Sequence, residues 1–177
     1  MNKLLSEEYR RVLETEHTSS DWGVVGWKQA PSVYELVERE HILTLLDYGA
    51  GRGSLGHWFD KHAPNQIDLR EYEPGIVSRS ADPAPAELVT CIDVMEHVEP
   101  DCVVTVLDHI QELAQRWVYF NISLRPAVRI LSDGRNAHLT IEPVEWWQAQ
   151  LQARWQEVSL TLNQKNNSFN WLGSVRT

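Results

Sequence analysis

A glycine-rich stretch, LLDYGAGRGSLG, has the residue types and spacing that point most clearly to chemistry. An apolar run ends at Asp47, and the pattern GxGxG then follows at Gly49, Gly51 and Gly53. The same stretch also contains GxGxxG, which ends at Gly56. Glycines between a strand and a helix are typical of cofactor sites, because the backbone can approach the ligand without a Cβ in the way. The stretch predicts a cofactor site, and the two overlapping patterns leave the cofactor open.

Acidic residues end the apolar runs that follow this turn. Glu73 stands 22 residues after Gly51, close to the separation of about 20 residues at which an acid binds ribose hydroxyls. Glu71 is the competing candidate for that role. Asp93 ends a later run, ELVTCID. We therefore expect carboxylates at the strand ends near the glycine turn.

Apolar periodicity predicts alternating helices and strands around these residues. The expected helices cover residues 3–17, 32–41, 55–62, 101–115 and a segment that begins at 143, and the expected strands cover 42–48, 67–72, 88–92, 117–122, 158–162 and 169–175. The helix start at Ser32 rests on an S-x-x-E capping box after Pro31. Residues 75–87 have room for a short strand at most. Residues 125–142 form a long connection, which is usually functional at such a length.

This order of elements predicts one α/β domain with a doubly wound, Rossmann-like sheet and helices on both faces. Most strands should be parallel, and the last two should form a C-terminal antiparallel hairpin. Residues 42–177 would form this core, with residues 1–41 packed on it as a helical and lid segment. The lid interpretation rests on Trp22 and Trp27, which flank a glycine-containing loop. A plain connector is the alternative.

Composition limits the class of protein. The chain has 177 residues, of which 42% are hydrophobic, and a formal net charge of −9. These values indicate a globular domain and argue against binding to duplex nucleic acid. No apolar run reaches the roughly 20 residues that cross a bilayer. Cys91 and Cys102 form no CxxC pair, so we expect a reducing, cytoplasmic location without disulfides or a zinc site.

Three motifs taken together are more specific than the glycine turn alone. DYGAGRGSL, the acid in EYEPG and the run ELVTCIDVMEHVEPD resemble the class I S-adenosylmethionine-dependent methyltransferases. The corresponding family features are (D/E)xGxGxG, a YDP-like step and a strand that ends in DVLEH, and the family sheet also ends in an antiparallel strand. The similarity extends over residues 42–177. SLRPA, DGRNAHL and the WW pair are also similar to small methyltransferase-like proteins that are often found in phage genomes.

The resemblance implies S-adenosylmethionine as the cofactor. The backbone at Gly49 and Gly51 would follow its methionine part and ribose, with Asp47 near the amino group. Glu73 would bind the ribose hydroxyls, and Asp93 would lie beside the sulfonium. With Asp82 assigned to the adenine, the expected cofactor-binding residues are Asp47, Gly49, Ala50, Gly51, Glu73, Asp82 and Asp93.

The acceptor side is assigned from the residues that follow Asp93 and from the long connection. His97 comes shortly after Asp93, and His138 lies in a loop expected to overhang the site. Either histidine would act as general base if the acceptor must lose a proton, and packing is the alternative for His97. The candidate acceptor-binding residues are Arg125, Arg129, Arg135 and Trp146. The three arginines would either bind an anionic group of the acceptor or form ion pairs at the surface.

The main functional prediction is methyl transfer to a small or locally exposed acceptor, by in-line displacement. An anionic acceptor is expected if the arginines form an anion clamp. The alternatives are a catalytically inactive cofactor-binding module and, through GxGxxG, an NAD-dependent oxidoreductase. The expected partner is a small-molecule or nucleotide-like acceptor, without membrane or duplex nucleic acid. Asp93, Glu96, His97 and Asp101 are residue types that ligate metals, but they diverge around a turn, so we expect no metal.

Overall fold

The computed structural model describes residues 3–19 and 24–176. The helices are α1 Glu7–Ser19, α2 Gly26–Glu40, α3 Ser54–His62, α4 Val103–Leu113 and α5 Val144–Gln152. The strands are β1 Thr44–Tyr48, β2 Asp68–Tyr72, β3 Ala86–Ile92, β4 Ala114–Ser123, β5 Gln156–Asn163 and β6 Ser168–Ser174. They form one six-stranded sheet in the order β2-β1-β3-β4-β6-β5. Strands β1 to β4 are parallel, and β6 pairs antiparallel with both β4 and β5.

Helices cover both faces of the sheet because successive strand residues point to opposite sides. Leu45 of β1 packs with α2 and α3 in one buried cluster, whereas Leu46 packs with α4 and α5 in another. Both leucines are almost completely buried, as expected for a strand at the centre of a parallel sheet. The predicted doubly wound sheet, mostly parallel with a C-terminal antiparallel hairpin, is confirmed.

Helix α2 begins earlier than the capping box predicts. It starts at Gly26 and contains Pro31 in its second turn, so the predicted start at Ser32 is wrong. Pro31 has no N–H to donate to the carbonyl oxygen of Trp27, so the helix lacks one backbone hydrogen bond at this point. The backbone N–H of Trp27 donates to Oγ of Ser54 at 3.3 Å. A contact with α3 thus supports a helix start that local capping rules do not reveal.

Helix α1 packs on the long connection between β4 and α5. Tyr9 and Leu13 of α1 lie in a buried cluster with Leu131, which belongs to residues 125–142. The connection itself is irregular apart from an isolated bridge. Trp22, on which the lid interpretation partly rests, lies outside the described residues.

Strand β2 forms one edge of the sheet. Residues 75–85, all of them described, contain no strand, and a short 3-10 turn, Val77–Arg79, takes up part of this span. No helix within the described part of the chain is long and apolar enough to cross a membrane.

Candidate functional site

The glycine turn after β1 is held against the end of β2. The backbone N–H groups of Gly49 and Ala50 both donate to the carbonyl oxygen of Tyr72, at 2.8 and 3.0 Å. Gly49 has a φ of 79°, and a Cβ at this position would overlap Cγ2 of Val94. Both the backbone conformation and the lack of space therefore require glycine here. The turn consequently lies directly beside the chain that leaves β3.

The two candidate acids at the end of β2 have different surroundings. Glu73 is 7% exposed and accepts hydrogen bonds from the backbone N–H groups of Gly51 at 3.2 Å and Gly75 at 2.9 Å. Glu71 instead pairs with Arg79 at 2.7 Å, and the same guanidinium donates to the carbonyl oxygen of Gly51. Because β2 ends one residue before Glu73, that residue leaves the strand direction and lies against the turn. Glu73 is thus the acid beside the glycine turn.

A narrow cavity of about 90 Å³ lies between the glycine turn and α1. Its lining includes residues of α1, of the turn and of the strand ends: Tyr9, Leu13, Gly49, Gly51, Glu73 and Asp93. The hydroxyl of Tyr9, one of the lining residues, is buried and has no hydrogen-bond partner among the described residues. Burial raises the pKa of this phenol. Since leaving a buried polar atom unbonded costs about 1–3 kcal/mol, this hydroxyl is suited to a hydrogen bond with a ligand.

Asp47 lies behind the turn, in a smaller pocket that Val25 and Ala50 also line. It is 4% exposed and accepts a hydrogen bond from Oγ1 of Thr90 at 3.0 Å. Burial raises the pKa of the Asp47 carboxyl from its usual 3.8 to about 7, although the Thr90 hydrogen bond opposes the change. A cation beside Asp47 would favour its charged form at neutral pH.

Asp93 follows β3 in a left-handed backbone conformation with a φ of 59°. Its N–H donates to the carbonyl oxygen of Asn121 at 2.9 Å. Such a conformation costs a residue other than glycine about 1–3 kcal/mol and is frequent at functional sites. The contact with the neighbouring strand β4 thus holds Asp93 in a strained position at the edge of the cavity.

Glu96 is a buried acid whose position the sequence pattern does not reveal. Its carboxylate accepts a hydrogen bond from the backbone N–H of Ser123 at 2.6 Å, and its carbonyl oxygen accepts one from Thr140 at 3.0 Å. Burial, followed by the nearby Asp93 carboxylate, raises the pKa of Glu96 well above its usual range. Glu96 therefore ties the end of β4 and the long connection to the turn after β3.

A second cavity, of about 660 Å³, meets the first at Asp93 and His97, which line both. Nδ2 of Asn121 donates there to Oδ1 of Asn170 at 2.7 Å. These residues come from distant parts of the chain, so no local sequence pattern predicts that they line the same cavity. The amide and hydroxyl side chains at this cavity include Gln29, Asn121, Ser123, Asn163, Asn166 and Asn170.

The two candidate bases lie side by side. The ring centroids of His97 and His138 are 4.7 Å apart, and the rings are nearly perpendicular. Nδ1 of His97 is 2.7 Å from the carbonyl oxygen of Ala137, and Nδ1 of His138 is 2.5 Å from that of Arg125. A carbonyl oxygen only accepts hydrogen bonds, so Nδ1 carries the proton in each neutral ring and Nε2 has the lone pair. Nε2 is therefore the basic nitrogen of each ring, and that of His97 is buried.

Comparison with known proteins gives matches in structure. No protein-family model and no curated protein matches the sequence. A 1,6-didemethyltoxoflavin-N1-methyltransferase from Burkholderia thailandensis, with bound 1,6-didemethyltoxoflavin and S-adenosylhomocysteine, has 16% identity and a TM-score of 0.68 over 96% of this chain and 90% of that one. Magnesium protoporphyrin IX methyltransferase from Synechocystis, with bound SAH, has 13% identity and a TM-score of 0.60 over 97% of this chain and 93% of that one. An S-adenosylmethionine-dependent methyltransferase from Clostridium acetobutylicum has 10% identity and a TM-score of 0.59 over 96% of this chain and 98% of that one.

This chain has the class I methyltransferase fold. Each match extends over nearly the whole of both proteins, so it includes the complete sheet and its helices and is not limited to the glycine turn. The sequence resemblance is thereby confirmed at the level of the fold.

Within this methyltransferase fold, the three candidate arginines are not brought together. Arg125 and Arg129 line the larger cavity, and Arg129 also pairs with Glu16 at 2.9 Å. Arg135 instead pairs with Asp133 at 2.6 Å. Two of the three arginines thus lie at the larger cavity, and ion pairs involve both Arg129 and Arg135.

Trp146 and Asp82 are not among the residues that line either cavity. Trp146 is half-buried against the main core, with its ring centroid 4.9 Å from that of Trp147. Asp82 is exposed and lies near Tyr72, where its charge adds to burial in raising the pKa of the phenol. In this conformation, the structure offers neither residue a contact with the site.

Proposed function

We propose that this protein transfers a methyl group from S-adenosylmethionine to a small polar acceptor that carries an anionic group. The observation that supports this most directly is the meeting of the two cavities at Asp93 and His97. One cavity is bordered by the glycine turn and Glu73, and the other by amides, histidines and arginines. A methyltransferase needs two adjacent sites, because the reaction is an in-line displacement between two bound molecules.

The carboxylates around the smaller cavity suit a cationic cofactor. S-adenosylmethionine is positively charged at its amine and sulfur and supplies the activated methyl group. In our assignment Glu73 holds the ribose hydroxyls and Asp93 lies at the sulfonium end, both at this cavity, whereas Asp47 faces the amino group from the pocket behind the glycine turn. The Tyr9 hydroxyl offers a further hydrogen bond. A dinucleotide would bring the negative charge of its pyrophosphate towards these acids, which disfavours the oxidoreductase alternative.

Cofactor entry requires α1 to move. The cavity that α1 covers, at about 90 Å³, is smaller than the roughly 300–1,000 Å³ of sites for small molecules. Hydrogen bonds hold the cover in place, from Ser6 to Glu99 at 2.8 Å and from Arg10 to the carbonyl oxygen of Pro74 at 3.0 Å. We infer that these contacts open when the cofactor enters.

The larger cavity suits a small polar acceptor. Arg125 and Arg129 supply positive charge for a carboxylate or phosphate, and the amides supply donors and acceptors for heteroatoms. The Burkholderia thailandensis neighbour holds 1,6-didemethyltoxoflavin, in keeping with an acceptor of this size class. The net charge of −9 disfavours a duplex nucleic acid. The size of this cavity also speaks against the catalytically inactive module, which would need no room for an acceptor.

We propose that one of the two histidines removes the proton that the methyl acceptor loses. Nε2 of His97 or His138 would accept a proton from an acceptor hydroxyl or amine as that heteroatom bonds to the methyl carbon. The position of both rings at the larger cavity supports this role.

Calorimetric titration with S-adenosylhomocysteine tests the cofactor assignment. The unaltered protein should bind it, and Glu73→Gln should weaken binding by about tenfold or more, because a charged hydrogen bond contributes about 1.5–3 kcal/mol. Glu145→Gln, at an exposed position on α5, is the matched control and should bind normally. Failure of the unaltered protein to bind S-adenosylhomocysteine would refute the proposal. Binding without methyl transfer to any of a panel of acidic heteroaromatic acceptors would favour the inactive module.

A further inference from the structure

Three potential metal ligands from separate segments meet where the two cavities join. Asp93 follows β3, His97 lies in the turn after it, and His138 belongs to the connection before α5. One ligand atom from each lies within 4.8 Å of the others, and all three side chains are half-buried. Ligand atoms around one divalent ion are about 3–4 Å apart, so small side-chain movements complete the geometry. The group considered from the sequence, with Glu96 and Asp101, lacked His138.

The hydrogen bonds of the two imidazoles match those of metal-binding histidines. Such histidines donate their other ring N–H to a carbonyl, carboxylate or water, which fixes the tautomer and orients the ring. Here Nδ1 of His97 faces the carbonyl oxygen of Ala137, and Nδ1 of His138 faces that of Arg125. Both carbonyls belong to residues 125–142. The same connection thus supplies one ligand and orients both rings.

Hydrogen bonds hold His138 and Asp93 in place before any ion binds. The backbone N–H of His138 donates to Oδ1 of Asn136 at 2.9 Å. Asn136 in turn makes two hydrogen bonds with the backbone of Ala127, at 2.9 and 3.0 Å, so the loop is braced across its width. Asp93 is fixed by its hydrogen bond to Asn121 in the left-handed conformation, which costs free energy that a bound ion would offset.

We propose that Asp93, His97 and His138 bind one divalent transition-metal ion through a carboxylate oxygen and two imidazole nitrogens. This ligand set favours Zn²⁺, Mn²⁺, Fe²⁺ or Co²⁺ over Mg²⁺ and Ca²⁺, which prefer oxygen ligands. All three residues line the larger cavity, so the remaining coordination positions are open to an acceptor there.

The role of the ion rests on the proposed methyl transfer, whereas its binding does not. A divalent ion lowers the pKa of a hydroxyl bound to it. The O–H bond of a coordinated acceptor breaks, the electron pair stays on oxygen and the proton passes to water. In the metal-bound protein the two imidazoles are ligands of the ion. The ion, and not a histidine, then promotes loss of the acceptor's proton.

Titration of the chelator-treated protein with Co²⁺ tests the site without relying on activity. We expect one ion per chain, seen as visible absorption bands of the bound ion, and calorimetry with Zn²⁺ should give the same stoichiometry. His138→Ala and Asp93→Asn should each weaken Co²⁺ binding by about tenfold or more. His57→Ala changes an exposed histidine on α3 and should leave the titration unchanged. Circular dichroism checks that each variant folds, and Asp93→Asn, which keeps the side-chain shape, supplies the test if His138→Ala does not.

The outcomes separate the metal site from the proposed function when S-adenosylhomocysteine is titrated into the same samples. Its binding without Co²⁺ or Zn²⁺ binding overturns the metal site and leaves the proposed function standing. Metal binding that all the variants retain equally also overturns the site. If the His138 and Asp93 variants lose metal binding and the protein does not bind S-adenosylhomocysteine, the metal site is supported. The ion would then have no role in methyl transfer.

Discussion

Asp47 allows a quantitative prediction because its buried carboxyl has a pKa of about 7 in place of 3.8. Between these values the folded protein keeps a proton that the unfolded chain has released. The free energy of unfolding therefore falls as pH rises through this window, since the unfolded state binds fewer protons. At 1.36 kcal/mol per pH unit, the loss reaches about 4 kcal/mol above pH 7.

Asp47→Asn removes the charge and keeps an oxygen that can accept the hydrogen bond from Thr90. Relative to the unaltered protein, this variant should gain less than about 1 kcal/mol of stability near pH 4 and about 4 kcal/mol above pH 7. Urea denaturation across this pH range measures the difference. Asp60→Asn, at an exposed carboxyl on α3, is the control and should show no such pH-dependent gain.

The same substitution should weaken binding of S-adenosylhomocysteine, because the amino group of the cofactor loses the carboxylate assigned to it. Stability and affinity would then change in opposite directions in Asp47→Asn. A stability difference that is independent of pH would refute the argument from the buried carboxyl. An unchanged affinity would refute the assignment of Asp47 to the amino group.

Three further predictions concern the two cavities. Gly49→Ala should lower stability by about 1–3 kcal/mol and weaken S-adenosylhomocysteine binding, because its Cβ overlaps Val94 and the backbone is left-handed. In thermal unfolding, adding Val94→Ala should restore part of the lost stability, and no recovery would contradict the overlap. Arg125→Ala should raise the acceptor KM and leave cofactor affinity unchanged, whereas Arg135→Ala should change neither; loss of cofactor affinity in Arg125→Ala would argue against its acceptor role. Tyr9→Phe should weaken cofactor binding in calorimetry without lowering stability, because the hydroxyl it removes is buried without a partner; equal affinity would remove Tyr9 from the site.

The order of helices and strands was accessible from the sequence because it depends on local patterns. The buried run that ends in Asp47 predicts a central strand, and the glycines after it predict the turn, since Gly49 adopts a conformation that side chains exclude. Alternation in residues 158–162 and the loop after them predict the closing hairpin. Periodicity of this kind needs no knowledge of distant contacts.

The tertiary structure decided the properties that depend on residues far apart in the chain. Helix α2 starts beside Ser54, which accepts a hydrogen bond from Trp27, and His138 meets Asp93 because the long connection contacts the turn after β3. Arg135 pairs with Asp133 and is not among the residues that line the larger cavity, which its position in the sequence does not reveal. Burial, which raises the pKa of Asp47, is likewise a property of the assembled sheet. Sequence patterns thus determined which elements form, and packing determined which side chains share a site, because contact and desolvation exist only once the elements have come together.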